Sequence, residues 1–144
     1  GHIDPAYIST LGADANYTFT VGDWATDVKK TGVEEIAKKF KAKFGIDMNG
    51  HAAETYMSTY VLKDALERAG STNRKKLRDA LAETKLCGEK NILPYDCIRF
   101  DQTGQSPEAQ LIIMQIIDGK HKTVWPFESA SADLNWPVPA WNAR

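Results

Sequence analysis

The sequence lacks long apolar runs, an excess of basic residues and internal repeats. No stretch approaches the roughly 18 apolar residues that suggest a membrane-spanning helix, and residues 1–11 do not have the pattern of a signal peptide. Lys and Arg number 18 against 19 Asp and Glu, so the chain does not offer the basic surface that nucleic-acid binding usually needs. A missing signal peptide does not exclude export, because a mature or truncated chain has already lost it.

The remaining composition is that of an ordinary soluble globular protein. Hydrophobic residues make up 42% of the chain and charged residues 26%, and both values argue against disorder. A length of 144 residues fits one domain and is long enough to bury a substantial core. Composition therefore predicts a folded domain without indicating its activity.

The chain has only two cysteines, Cys87 and Cys97, which flank a loop that contains Gly88, Asn91 and Pro94. A pair this close in sequence can be bridged if the loop folds back on itself. Two free thiols are the alternative, and composition alone does not decide between them. A disulfide would indicate an oxidising compartment.

Three amphipathic helices are predicted in the middle of the chain. The first follows a capping-box pattern at Thr31 and Glu34 and ends at Gly45. The second covers about 52–69, and the third begins after an N-cap within 71–73. Their predicted inward faces contain Ile36, Phe40 and Phe44 in the first, Tyr56, Tyr60 and Leu66 in the second, and Leu77, Ala80 and Leu81 in the third.

Four strands are also predicted, together with a short helix near the start of the chain. The third strand is apolar on both faces, which is typical of a central strand covered by helices. The dipeptide Asp118-Gly119 predicts a two-residue hairpin turn between the last two strands. The helix is predicted at 5–11 and the strands at 17–21, 97–100, 110–117 and 121–125.

The order of these segments resembles a known family. The stretch IRFDQTGQ at 98–105 is followed by the apolar run 111–117, and the helix AAETYMSTYVLKDALERAG lies upstream at 52–70. This order and spacing resemble the closing part of the solute-binding proteins that serve branched-chain amino-acid (Leu/Ile/Val) ABC importers. Those proteins have the type I periplasmic binding fold, with two lobes and a much longer chain.

The resemblance implies an α/β fold, here a fragment of a two-lobed protein whose lobes have three αβα layers, with about three long helices and four strands. Residues 1–22 would belong to the second lobe, 23–107 to the first, and 108–144 would return to the second and form the C-terminal tail. Hinge crossings would lie near 22–26 and 103–107, where a cleft opens and closes. Uncovered faces of such a fragment predict an intertwined homodimer or a missing N-terminal segment.

Three residues are candidates for ligand contact. Asp23 and Trp24 follow a strand end, where ligands of open α/β sheets bind, although a capping Asp and a Trp that packs the hinge are alternatives. His51 opens the long helix, whose free amides favour an anionic group, and the resemblance places it where a ligand-facing side chain is expected; a solvated His is the alternative. His51 and Glu54 have a metal-ligand spacing, but one pair on one turn is too little to predict a metal, and no cofactor is predicted.

The resemblance implies an extracytoplasmic, periplasmic or membrane-associated protein that carries out no reaction. It would bind a small amino-acid-like, amide or carboxylate ligand between its lobes and present it to a membrane permease, and the Cys87–Cys97 pair would be a disulfide. A ligand-sensing regulatory or receptor domain of the same fold is the first alternative. A small hydrolase that uses Cys87 or Cys97 is a second, although no local pattern indicates an activated thiol.

Overall fold

Four α-helices, five strands and four short 3-10 helices form the regular structure of residues 3–143, the part of the chain that this computed structural model describes. The helices are α1 (Pro5–Leu11), α2 (Val33–Phe44), α3 (Gly50–Ala69) and α4 (Arg74–Ala82). The strands are β1 (Phe19–Gly22), β2 (Lys85–Cys87), β3 (Cys97–Arg99), β4 (Ile112–Ile117) and β5 (Lys120–Trp125). All predicted helices and strands are present, whereas the sequence does not predict β2, because a three-residue strand carries too little pattern.

Strands β1, β4 and β5 form an antiparallel sheet in which β4 is central, as its apolar character on both faces predicts. Phe19 of β1 lies opposite Gln115 of β4. Asp118 and Gly119 have φ angles of 50° and 70° and form the predicted turn between β4 and β5. Both positive values are those that a tight hairpin turn demands. The hairpin prediction is therefore confirmed.

Asn49 is the N-cap of helix α3, and its side-chain oxygen accepts a hydrogen bond from the Ala52 backbone N–H at 2.9 Å. The prediction that Tyr60 faces inward is wrong, since its ring is exposed. The buried stripe lies one residue further along the helix, so Tyr56 and Tyr60 flank it and contact each other, with ring centroids 4.8 Å apart. This stripe consists of Ala53, Met57, Val61 and Ala65.

The predicted helix ends are confirmed in part. Gly45 ends α2 in the left-handed conformation, and the Asn73 side chain caps α4 by accepting hydrogen bonds from two backbone N–H groups. The capping box at Thr31 is wrong, because the chain turns through the left-handed conformation at Gly32 and Gly32 becomes the N-cap. Phe44 is exposed rather than inward, since it lies in the last turn of α2.

One hydrophobic core joins the sheet to the helices. Ile112 and Met114 enter this core from one face of β4, while Ile113 lies on the opposite face because side chains alternate along a strand. The core consists of Trp24, Val28, Val33, Met48, Ala53, Met57, Val61, Leu86, Ile92, Leu93, Ile98, Ile112 and Met114.

Polar contacts fix the segment that follows β1. The Asp27 carboxylate accepts hydrogen bonds from the Thr123 backbone N–H at 2.9 Å, from the Thr123 hydroxyl at 2.7 Å and from the Ser131 hydroxyl. The Lys30 ammonium donates to the Leu93 carbonyl at 2.6 Å and to a second carbonyl of the same loop. The segment is therefore held both by β5 and by the loop between β2 and β3.

A disulfide between Cys87 and Cys97 closes that loop, and the bridge implied by the resemblance is confirmed. The two cysteines are paired residues of β2 and β3. Inside the loop, the buried Asn91 side chain accepts a hydrogen bond from the Leu93 N–H at 2.9 Å and donates one to the Tyr95 carbonyl at 2.7 Å. The bridge and this buried amide together fix the loop's shape.

Candidate functional site

Asp23 and Trp24 lie directly after β1, but their side chains have different surroundings. Trp24 is 1% exposed, and its indole Nε1 donates a hydrogen bond to the Ile92 carbonyl at 2.9 Å. The indole therefore anchors the segment from inside the core. Its predicted contact with a ligand stays a prediction.

The Asp23 carboxylate lies against the first turn of α3. A Cβ atom added at Gly50 would lie 1.8 Å from Asp23 Oδ1 and 2.5 Å from its Cγ, far inside van der Waals contact. Only a residue without a side chain fits at position 50 while the carboxylate stays where it is. Gly50 is buried, so the two segments are in close contact here.

His51 and Glu54 complete a polar cluster with Asp23, here called the α3 cluster. One ligand atom from each of the three side chains lies within 4.8 Å of the other two. The His51 imidazole is 92% exposed, and its Nδ1 is 3.9 Å from Glu54 Oε2. The structure thus brings together two of the three predicted ligand residues, Asp23 and His51, at the start of α3.

Two carboxylates in so small a space disfavour double ionisation. Partial burial raises the pKa of Glu54, and the charge of Asp23 and a hydrogen bond with it raise this pKa further; His51 opposes the shift. Burial and the charge of Glu54 also raise the pKa of Tyr95. The α3 cluster therefore favours a bound proton or a positively charged group between Asp23 and Glu54.

Within residues 3–143, two sets of side chains have the donor types of a cation site. The α3 cluster offers two carboxylates and an imidazole, a donor set that suits a small divalent cation. Cys87, Asp96 and Cys97 also lie together, but both sulfurs are joined in the disulfide and supply no thiolate. The same bond removes the nucleophile that the hydrolase alternative requires.

The sequence does not predict that Glu54 and Asp23 meet. The i, i+3 spacing of His51 and Glu54 indicates only that these two share a helix face. Asp23 is distant from both residues in sequence. The glycine at position 50 leaves room for the Asp23 carboxylate, but this reason for a glycine is evident only in the structure.

A polar hollow of about 630 Å³ lies elsewhere, between the β2–β3 loop and the segments around Lys30 and Glu108. Burial lowers the pKa of Lys30, and its ammonium already donates to two carbonyls. Glu108 accepts a hydrogen bond from the Cys97 backbone N–H at 3.1 Å and pairs with Arg99. These charged groups hold the loop together, so the α3 cluster is the stronger candidate for a ligand site.

A family model described as periplasmic binding protein matches residues 1–121 of the chain. The chain belongs to the periplasmic binding protein family. A curated relative, the Leu/Ile/Val-binding protein homolog 7 of Brucella melitensis biotype 1, is 29% identical over 126 residues, which are 86% of this chain and 31% of that protein. The chain thus spans about a third of the length of the curated relatives it matches. The resemblance noted in the sequence is confirmed.

Solved structures of periplasmic binding proteins share the fold. A putative branched-chain amino acid ABC transporter from Silicibacter pomeroyi matches with a TM-score of 0.74 at 19% identity, over 98% of this chain and 39% of that one. The leucine binding protein LivK from Thermotoga maritima matches with a TM-score of 0.65 at 21% identity, over 83% of this chain and 33% of that one. The predicted α/β fold, a fragment of the type I periplasmic binding fold, is confirmed.

Among the helices of residues 3–143, none combines the length and the apolar character needed to span a bilayer.

Proposed function

We propose that this periplasmic binding protein is the extracytoplasmic solute-binding component of an ABC importer and that it catalyses no reaction. It binds a small amino-acid-like solute between two lobes, and the closed form is recognised by a membrane permease. The α3 cluster is the observation that carries this proposal. It places charged donors and acceptors at the start of a 20-residue helix, directly beside the end of β1.

The charges of the α3 cluster favour a ligand that bears an ammonium group. Asp23 and Glu54 repel each other when both are ionised, and a cation between them removes that repulsion. A ligand carboxylate is favoured by His51 and by the amides that open α3. The curated relative named above is described as Leu/Ile/Val-binding, and its named amino acids carry both groups.

The lobe assignment is part of the proposal. Residues 1–22 and 108–144 form the second lobe, residues 23–107 belong to the first, and the crossings lie near 22–26 and 103–107. Support comes from the sheet, in which β1 pairs with β4 although the residues of α2, α3 and α4 lie between them in sequence. Asp23 and Trp24 then lie at a crossing between the lobes, where lobe closure brings side chains of the two lobes together.

The disulfide supports an extracytoplasmic location, because such bonds persist in oxidising compartments. Alkylation of the native protein with iodoacetamide, followed by intact mass measurement, tests this point. We expect no modified cysteine in protein isolated from its native compartment without reductant. Two modified cysteines would indicate a reducing compartment and would contradict the proposed location.

Ligand binding is tested by calorimetry with leucine and with two compounds that each lack one of its charged groups. The first is 4-methylpentanoate, which has no ammonium group, and the second is 3-methylbutylamine, which has no carboxylate. We expect leucine to bind best, and Asp23→Asn to weaken its binding by about tenfold or more. Glu83→Gln, an exposed position at the end of α4, is the matched control. Equal binding of 4-methylpentanoate would contradict the ammonium assignment.

The pH dependence follows from Glu54. Because its pKa is raised, Glu54 takes up a proton above the ordinary glutamate value of about 4.3, and the ionised form that attracts an ammonium group is lost as pH falls. Leucine affinity should therefore decrease with falling pH in the wild type. The affinity of Glu54→Gln should be lower at neutral pH and should decrease less with falling pH than that of the wild type. A wild-type affinity that does not change between about pH 4 and 7 would exclude this role.

A further inference from the structure

A fourth polar side chain, Tyr95 of the loop between β2 and β3, lies near the α3 cluster. The Trp24 indole, next to Asp23 in sequence, donates a hydrogen bond to the Ile92 carbonyl of this loop at 2.9 Å. The loop therefore lies against the segment that carries Asp23. The Tyr95 ring is half-buried and packs against the same core to which Trp24 and Ala53 of α3 belong.

The phenol of Tyr95 interacts electrostatically with Glu54. Burial raises the pKa of Tyr95, and the negative charge of Glu54 raises it further. Because the effect of a charge weakens with distance, the phenol and the carboxylate are near each other. The hydroxyl keeps its proton at neutral pH, so Tyr95 adds no charge to the α3 cluster, and its oxygen is still able to accept a hydrogen bond.

The main chain of Tyr95 is fixed from two sides. Its carbonyl accepts a hydrogen bond from the Asn91 side chain at 2.7 Å and another from the Lys30 ammonium. The disulfide between Cys87 and Cys97 joins the two ends of the loop. A ligand contact from this position costs little conformational entropy, because the loop is ordered before the ligand binds.

A primary ammonium group has three N–H donors that point in three directions. Asp23 and Glu54 supply carboxylate acceptors from two elements, the end of β1 and the first turns of α3. We propose that the Tyr95 hydroxyl oxygen, from a third element, accepts the remaining N–H of the ligand's ammonium group and makes the site selective for amino acids that are not methylated on nitrogen. The inference rests on the proposed solute-binding function and names a specificity-determining residue for it. A methyl group in place of that hydrogen leaves the Tyr95 oxygen without its donor.

Calorimetry of the wild type and of Tyr95→Phe, each with leucine and with N-methylleucine, tests the proposal. Tyr95→Phe should weaken leucine binding by about tenfold, because a hydrogen bond to a charged group is lost. The wild type should bind N-methylleucine more weakly than leucine by a similar factor. Tyr95→Phe should change the affinity for N-methylleucine by less than about twofold, since this ligand makes no hydrogen bond to Tyr95. The four affinities form a cycle that isolates the contact between the hydroxyl and the third N–H.

Tyr60→Phe, the same change at an exposed phenol of α3, is the matched control and should leave both affinities unchanged. Tyr95→Phe removes a single oxygen atom, and circular dichroism and thermal melting should show that the variant keeps its fold. An equal loss of affinity for the two ligands would show that Tyr95 acts only through the structure and would overturn the proposal. An unchanged leucine affinity would overturn it as well and would leave the solute-binding proposal intact. A wild type that does not bind leucine would overturn the solute-binding proposal itself, and this inference with it.

Discussion

At the scale of single residues, Gly50 and Asp23 restrict each other. The Asp23 carboxylate occupies the space in which any side chain at position 50 would begin. Glu54, one helical turn further along α3, has its pKa raised by partial burial and by the same carboxylate. The Asp23 carboxylate therefore both restricts position 50 to glycine and contributes to the raised pKa of Glu54.

We expect Gly50→Ala to destabilise the protein by about 1–3 kcal/mol, because the new methyl group displaces the Asp23 carboxylate or the helix start. In the Asp23→Ala background the same substitution should be neutral or stabilising by up to about 1 kcal/mol, since alanine favours a helix more than glycine does. Urea unfolding of the wild type, the two single variants and the double variant gives the coupling energy directly. Equal effects of Gly50→Ala in both backgrounds would show that the two residues do not interact.

At the scale of elements, the disulfide-closed loop between β2 and β3 acts as a support for the segment after β1. Its Ile92 carbonyl accepts the Trp24 indole N–H, and its Leu93 carbonyl accepts the Lys30 ammonium. These residues are more than 60 positions apart in sequence, so the loop holds the candidate site through tertiary contacts.

Replacing both cysteines by alanine should cost about 2–3 kcal/mol of unfolding free energy, the value expected for a loop of this length. The loosened loop should also expose the Trp24 indole, whose N–H would exchange with solvent faster. Hydrogen exchange of the indole N–H, assigned with Trp24→Phe, measures this effect. Ser58→Ala, at an exposed position of α3, is the control. Unchanged exchange in the cysteine variant would show that the loop keeps its shape without the bridge.

Local patterns predict the elements that depend on local interactions. The Asn73 cap and the Asp118-Gly119 turn are examples, because their residues interact with groups two to four positions away. The capping box at Thr31 fails because Gly32 takes a left-handed conformation that the helical pattern does not reveal. The meeting of Asp23 with Glu54 is unpredictable from either segment, since it depends on how β1 and α3 pack.

At the scale of the whole molecule, the tail after β5 is joined to the centre of the sheet by buried polar contacts. The Gln115 side chain, fully buried in the central strand, accepts a hydrogen bond from the Asn135 N–H at 2.9 Å and donates one to the Asn135 carbonyl at 3.1 Å. The Ser131 hydroxyl donates to Asp27. The tail thus contacts both the sheet and the segment that leads to the candidate site.

Gln115→Met should destabilise the protein by about 1–2 kcal/mol, because the Asn135 backbone loses both partners while the volume at position 115 is nearly kept. The tail should then be cut faster by a protease of broad specificity under native conditions. Guanidinium unfolding and limited proteolysis measure the two effects. Gln102→Met, in an exposed loop, is the control. A stable variant with a protected tail would show that apolar contacts alone hold the tail.

The contact between Asp23 and Gly50 also limits the order in which this protein can change over generations. A lineage that first replaces Gly50 must pass through a form in which the new side chain and the carboxylate compete for the same space. A lineage that first replaces Asp23 avoids this steric conflict and frees position 50 to vary, but it loses a carboxylate of the proposed ligand site. The two orders end in the same pair of residues, but the first passes through a less stable protein and the second through a weaker binder of the ligand.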